Sequence, residues 1–86
     1  MNEEEIRSRV MKTLCGIVPE LEPGTLKMGA SLREQLDIDS MDFLNFLIAL
    51  QQEFGVDVPE ADAGKLASVD SCVAYLGEAL RRQLTA

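Results

Sequence analysis

The sequence predicts an all-α fold, a small bundle of three longer helices plus one short helix, and three observations carry that expectation. Apolar residues recur at three- and four-residue spacing in three separate stretches, which puts them on one face of a helix. No segment alternates apolar and polar residues with period two for long enough to demand a strand. The three prolines and the glycines at 24, 29, 55 and 64 fall between the periodic stretches, and the 86 residues read as a single domain over 1–86 without repeats.

The first helix is expected from Glu3 to Val18, where Ile6, Val10, Leu14, Ile17 and Val18 keep helical spacing. Its opening acids suit the positive end of the helix dipole, and Pro19 stops it. Residues 19–39 contain Pro19, Pro23, Gly24 and Gly29 and read as a long loop, with SLREQL as a possible single turn pinned by Leu32 and Leu36. The second helix is expected from Ser40 to Phe54, with Gly55 as its left-handed terminator. Pro59 sits at a plausible first helical position for a short helix near residues 60–66. Ser68 then caps a last helix, along which Val69, Val73, Leu76, Leu80 and Leu84 repeat.

Charge and composition exclude several functions. Fifteen acidic residues against eight basic ones give a net charge of −7, which repels nucleic acid and anionic membrane surfaces and attracts basic proteins. The start, MNEEEIRSRV, has acids where a secretory signal needs basic residues, and no apolar run approaches a membrane span, so the expected location is cytoplasmic. The chain is expected to act as a monomer. With no histidine in the sequence, the familiar Cys/His and Ser/His catalytic pairs cannot be assembled. Cys15 and Cys72 lie far apart without CxxC spacing, and both are expected to pack as small buried apolar residues.

The second helix carries two stripes. Phe43, Phe46, Leu47, Leu50 and Phe54 fall on one face, wide enough to meet the core. Met41, Leu44 and Ile48 form a narrower stripe roughly 130° around the helix, on the side of Ser40. Either this stripe is an exposed docking surface or the 19–39 loop covers it.

At the mouth of this helix stands LDIDSMDF, with Ser40 between Asp39 and Asp42. Ser40 could cap the helix, but Asp39 with Asp42 three residues on is closer to a capping box, and a cap at Asp39 leaves the Ser40 hydroxyl free. A group attached at Ser40 would meet a helix N-terminus, which favours phosphate. A calcium loop is the competing reading, and it fails at three places. Met41 occupies a ligand position, Asp42 replaces the required glycine, and Ile48 stands where the bidentate glutamate must be. No metal ligands are therefore expected. Gly64-Lys65-Leu66 lacks the remainder of a phosphate-binding P-loop.

These residues together resemble the acyl carrier proteins. Asp39-Ser40-Met41 is close to the family's Asp-Ser-Leu, followed by Asp42 and the run FLNFLIALQQEFGVDVP, and length, helix order and acidity extend the likeness over nearly the whole chain. The resemblance implies that Ser40, beside Asp39, receives 4′-phosphopantetheine from coenzyme A as a phosphodiester. The arm's thiol would hold acyl groups as thioesters, making the protein a carrier without catalytic residues. The implied partners are a phosphopantetheinyl transferase and acyl-transferring, ketosynthase or acyl-activating enzymes, in a fatty acid, lipid or polyketide pathway. They would contact Met41, Asp42, Leu44 and Ile48 through basic and apolar surfaces. The Phe43, Phe46, Leu47, Leu50 and Phe54 face would line or fill the space where family members can shelter an acyl chain.

One departure stands out. Members serving fatty-acid synthesis usually carry glutamates where this chain has Asn45, Gln51 and Gln52, so helix two keeps only Asp42 and Glu53 as acids. That favours a dedicated carrier for one biosynthetic pathway. An unmodified partner-binding domain and an amino-acyl or peptidyl carrier are the competing readings.

Overall fold

Each long helix starts and stops for a local chemical reason, and these stops set where the functional residues stand. The computed structural model describes residues 1–85, with side chains through Gln83, so the expected core position Leu84 lies outside the described side chains. Helix α1 spans Glu3–Ile17, and the Asn2 side chain accepts the Glu5 N–H at 2.8 Å as its cap. It ends one residue earlier than expected. Val18 precedes Pro19, whose ring disfavours helical backbone in the residue before it, and Val18 sits at φ −120, ψ 83.

The 19–39 segment is more ordered than a loop. Pro23–Thr25 forms one 3-10 turn, and the expected single turn exists as α2, Leu32–Leu36, capped by Ser31 and ended by Asp37 in the left-handed region at φ 51. Helix α3 spans Ser40–Phe54 as expected, and Gly55 ends it at φ 63, a conformation that costs glycine nothing. Glu60–Leu66 is a 3-10 helix in which Pro59, with ψ 149, stands outside as the cap instead of at the first helical position. Helix α4 spans Val69–Thr85. Ser68 caps it as expected, its hydroxyl accepting the Ser71 N–H at 3.1 Å while the Ser68 N–H donates to Ser71 Oγ at 2.9 Å.

Helix α1 packs against both α3 and α4. Ile6, Val10 and Leu14 of α1, Phe46, Leu47, Leu50 and Phe54 of α3, and Val69, Cys72, Val73 and Leu76 of α4 form one continuous apolar core. Burial of such side chains, at about 1.5–3 kcal/mol each, is the main term holding the bundle together. Two ion pairs rim the seams, Arg9 to Glu53 at 3.7 Å and Arg7 to Asp70 at 3.9 Å. Both are exposed enough that they contribute little. No helix among the described residues is long and apolar enough to cross a membrane.

The cysteines separate. Cys72 is buried, and burial pushes its thiol up to about 12, whereas Cys15 is only half-buried, contrary to expectation, because the α1 face it occupies borders the core.

The segment from Val18 to Asp39 is fastened on the α4 side. Leu26 and Leu32 insert into the core, Leu32 N–H donates to Ala67 C=O at 2.8 Å, and Asp70 N–H donates to Met28 C=O at 3.0 Å. Gln35 braces it internally, accepting the Lys27 N–H at 2.9 Å and donating to Lys27 and Ala30 carbonyls. These bonds hold the segment against α4 and the 3-10 helix, so it does not spread over α3.

The 3-10 helix is tied to α4 through Tyr75, whose hydroxyl donates to Asp62 at 2.7 Å. That bond, with Lys65 at 3.2 Å, holds the Asp62 carboxyl below its ordinary range. A lowered folded-state value means the ionised carboxylate favours the folded chain above the ordinary carboxylate range and loses that effect as pH falls through the folded value. Tyr75→Phe should therefore lower the melting temperature at neutral pH, with a gap from wild type that narrows as pH falls below about 4. Thermal melts by circular dichroism across that range check it, and a gap independent of pH would remove the charged hydrogen bond from the account.

Candidate functional site

Ser40 is the first residue of α3 and is exposed. The helix is capped from the residue before it: Asp39 Oδ1 accepts the Asp42 N–H at 2.9 Å, and the Asp39 carbonyl accepts the Phe43 N–H at 3.0 Å. The early N–H groups of a helix lack intrahelical acceptors. With Asp42 and Phe43 satisfied by Asp39, those of Ser40 and Met41 remain for water or an anion. The Ser40 hydroxyl takes no part in the cap.

The Ser40 oxygen has one side-chain neighbour that sequence reading missed. Arg33 Nη2 donates to Ser40 Oγ at 3.1 Å. Arg33 lies on α2, and the left-handed turn at Asp37 brings that helix back beside the start of α3. An arginine seven positions before a serine carries no signal by itself; only the existence of α2 and the φ 51 turn makes the two neighbours.

The expected partner-facing residues are laid out together. Met41, Leu44 and Ile48 are 64%, 48% and 43% exposed, the large apolar side chains that α3 presents to solvent. The 19–39 segment leaves them uncovered because its backbone bonds go to Ala67 and Asp70. Asp42 is exposed on the same first turn. On the other face, Phe46, Leu47, Leu50 and Phe54 are buried, Phe43 is half-buried, and the Phe43 and Phe46 rings sit 6.3 Å apart at 46°. Phe46, Leu47, Leu50 and Phe54 belong to the continuous core, and Phe43 packs against it. A half-open groove lies elsewhere, between α1 and α4, lined by Ile6, Val73, Gly77 and Leu80.

The neutral positions on α3 divide in a way the sequence concealed. Asn45 and Gln52 are exposed, but Gln51 is half-buried and accepts the Val58 N–H at 3.1 Å, pinning the chain that leaves the helix. Glu53 pairs with Arg9 of α1. Asp42 is therefore the acid of α3 without a cationic partner among the described residues, where no group of three metal-ligating side chains gathers. For a phosphodiester-linked arm the donor set fits: an exposed hydroxyl at the N-terminus of a 15-residue helix, with a guanidinium on the same oxygen.

The chain is similar to known proteins over most of its length. The family model described as "Phosphopantetheine attachment site" matches residues 8–76. An acyl carrier protein of Lactobacillus acidophilus is 32% identical over 76 residues, covering 88% of this chain and 94% of its own. A mitochondrial acyl carrier protein of Neurospora crassa is 29% identical over 76 residues, but the chain spans only 57% of that relative's length. A solution structure assigned to an acyl carrier protein of Anaplasma phagocytophilum superposes with a TM-score of 0.77 at 28% identity, over 91% of this chain and 92% of the other.

The cap arrangement predicts that Asp39 and Ser40 differ in stability role. Asp39→Ala should destabilise by about 0.5–2 kcal/mol, whereas Ser40→Ala should leave stability nearly unchanged. Urea melts of both variants check it; equal losses would make the Ser40 hydroxyl part of the cap.

Proposed function

Because the chain belongs to the acyl carrier proteins, whose prosthetic group is 4′-phosphopantetheine and whose members carry acyl groups without catalysing their chemistry, we propose that Ser40 is its attachment residue. Residues 1–86 form one carrier domain in this reading. The observation that carries it is the exposed Ser40 hydroxyl, left out of the α3 cap by Asp39 and standing next to the uncovered Met41, Leu44 and Ile48 stripe.

In attachment, Ser40 Oγ bonds to the pantetheine-bearing phosphorus of coenzyme A. The pyrophosphate P–O bond breaks, adenosine 3′,5′-bisphosphate departs and the hydroxyl proton passes to a base of the transferase. When bound, the arm supplies a terminal thiol that holds the cargo as a thioester. The chain's own residues would do the rest: Asp39 fixes the helix end, the N–H groups of Ser40 and Met41 would be free to hold a phosphate, and the apolar stripe would offer partners a contact beside the arm. Tethering then presents the cargo at high effective concentration to a docked active site.

Family members work with a phosphopantetheinyl transferase and acyl-handling enzymes. We assign this chain a partner in a dedicated fatty acid, lipid or polyketide pathway, because Asn45 and Gln52 are neutral and Glu53 is engaged by Arg9. A partner reading such a surface relies on apolar contact more than on charge. A cytoplasmic home is part of the same proposal, while the relative from Neurospora crassa is mitochondrial; cell fractionation reads it directly.

Coenzyme A with a broad-specificity transferase should add one arm to wild type and none to Ser40→Ala, read by intact mass. On the loaded protein, Leu44→Ala or Ile48→Ala should slow transfer to the cognate enzyme about fivefold or more, the effect of losing about 1 kcal/mol. Asp42→Asn and Glu53→Gln should cost less. The reverse order, in variants that keep the wild-type melting temperature, would make recognition electrostatic.

A further inference from the structure

We propose that Arg33 is a positioning residue for the arm, its guanidinium holding the phosphodiester on the α2 side of Ser40. This rests on Ser40 being the attachment residue and adds what the chain does with the group once it is there. Arg33 Nη2 already lies 3.1 Å from Ser40 Oγ, the oxygen that becomes the ester link. Among the described residues this is the bond Arg33 makes, and it pairs with no carboxylate although Glu34, Asp37, Asp39 and Asp42 are near in sequence. Asp39 is occupied by the α3 N–H of Asp42.

Esterification changes what this guanidinium meets. Ser40 Oγ becomes a poorer acceptor, and two non-bridging phosphoryl oxygens sharing a full negative charge arrive beside it. A planar fork with five donors matches such a group in a way a hydroxyl does not require. The electrostatics ask for a cation at this place. Asp37, Asp39 and Asp42 surround Ser40 in sequence, and between Lys12 and Lys65 the chain has only Lys27 and Arg33 as basic residues. Bringing another anion among these acids is unfavourable unless a positive charge offsets it. Arg33 is the basic side chain in contact with the reacting oxygen. The arm then leaves Ser40 with its first atoms oriented, and an enzyme that draws the thiol into a tunnel must break the Arg33 contact or accommodate it.

The test uses the loaded protein and reads the phosphorus, not acyl transfer. Wild type, Arg33→Gln and Arg33→Lys are converted with coenzyme A and a transferase, and intact mass establishes loading. Phosphorus-31 spectra are then compared, with the urea-unfolded loaded protein as the reference for a free diester. In wild type the resonance should be shifted and broadened relative to that reference, and about 1 M salt, where screening acts within about 3 Å, should move it part of the way back. Arg33→Gln should bring it to the reference position with loss of the salt response. Arg33→Lys keeps the charge and loses the fork; it should fall between the two, and it carries the comparison if Arg33→Gln resists loading. Identical shift, width and salt response in loaded wild type and variants overturns the role of Arg33 while leaving attachment intact. A wild type that takes no arm overturns the attachment reading itself, and the Arg33 proposal with it.

Discussion

Asp39 takes the N–H that would otherwise be offered to Ser40, and that single hydrogen bond decides what the serine can be. A serine at a helix start is most often consumed as the cap. Here the cap is one residue earlier, at 2.9 Å, so the hydroxyl stays out of the cap and exposed while it stands at the positive end of the α3 dipole. The same capping geometry fixes the phase of α3. With Ser40 as its first residue, Phe46, Leu47 and Leu50 enter the core and Met41, Leu44 and Ile48 come out beside the hydroxyl.

That phase is useful only because the preceding segment is held elsewhere. A stretch of about twenty residues between two helices could have covered the exposed stripe and buried it. Instead the carbonyls of Met28 and Ala67 and the N–H groups of Leu32 and Asp70 stitch it to the start of α4, with Leu26 and Leu32 as apolar pegs. The segment then returns through the left-handed Asp37 and delivers Arg33 to the serine oxygen. One set of backbone bonds thus leaves the Met41, Leu44 and Ile48 face uncovered and sets a guanidinium on the serine oxygen.

Much of this was legible in the sequence, for identifiable reasons. The α3 boundaries were readable because both ends carry strong local chemistry, an Asp cap and a left-handed glycine. The Ser68 start of α4 was readable on the same grounds. The two stripes of α3 followed from the helical period, since residues three and four apart must share a face. Long-range choices were not legible. Whether the 19–39 segment covers Met41, Leu44 and Ile48 depends on bonds to Ala67 and Asp70, thirty or more positions away, which no local pattern encodes. Gln51 read as a missing surface acid but is spent internally on Val58, and Glu53 is spent on Arg9, because sequence does not show which side of a helix end meets its neighbours. Arg33 was invisible for the same reason. Pro59 was misplaced by one position because a proline fits equally well as the cap and as the first residue of a short helix, and only its ψ of 149 separates them.

If one oxygen, Ser40 Oγ, bears the arm, the chain's own cleavage pattern reveals it without any substitution. Trypsin acting at Arg33 and Lys65 releases residues 34–65, in which Ser40 is the only serine and no threonine or tyrosine occurs. Tandem mass spectrometry of loaded wild-type protein should find the phosphopantetheine on this peptide, on the fragment ions that contain residue 40, and on no other peptide. An arm on a peptide carrying Ser8, Ser31, Ser68 or Ser71, with residues 34–65 unmodified, would contradict the account.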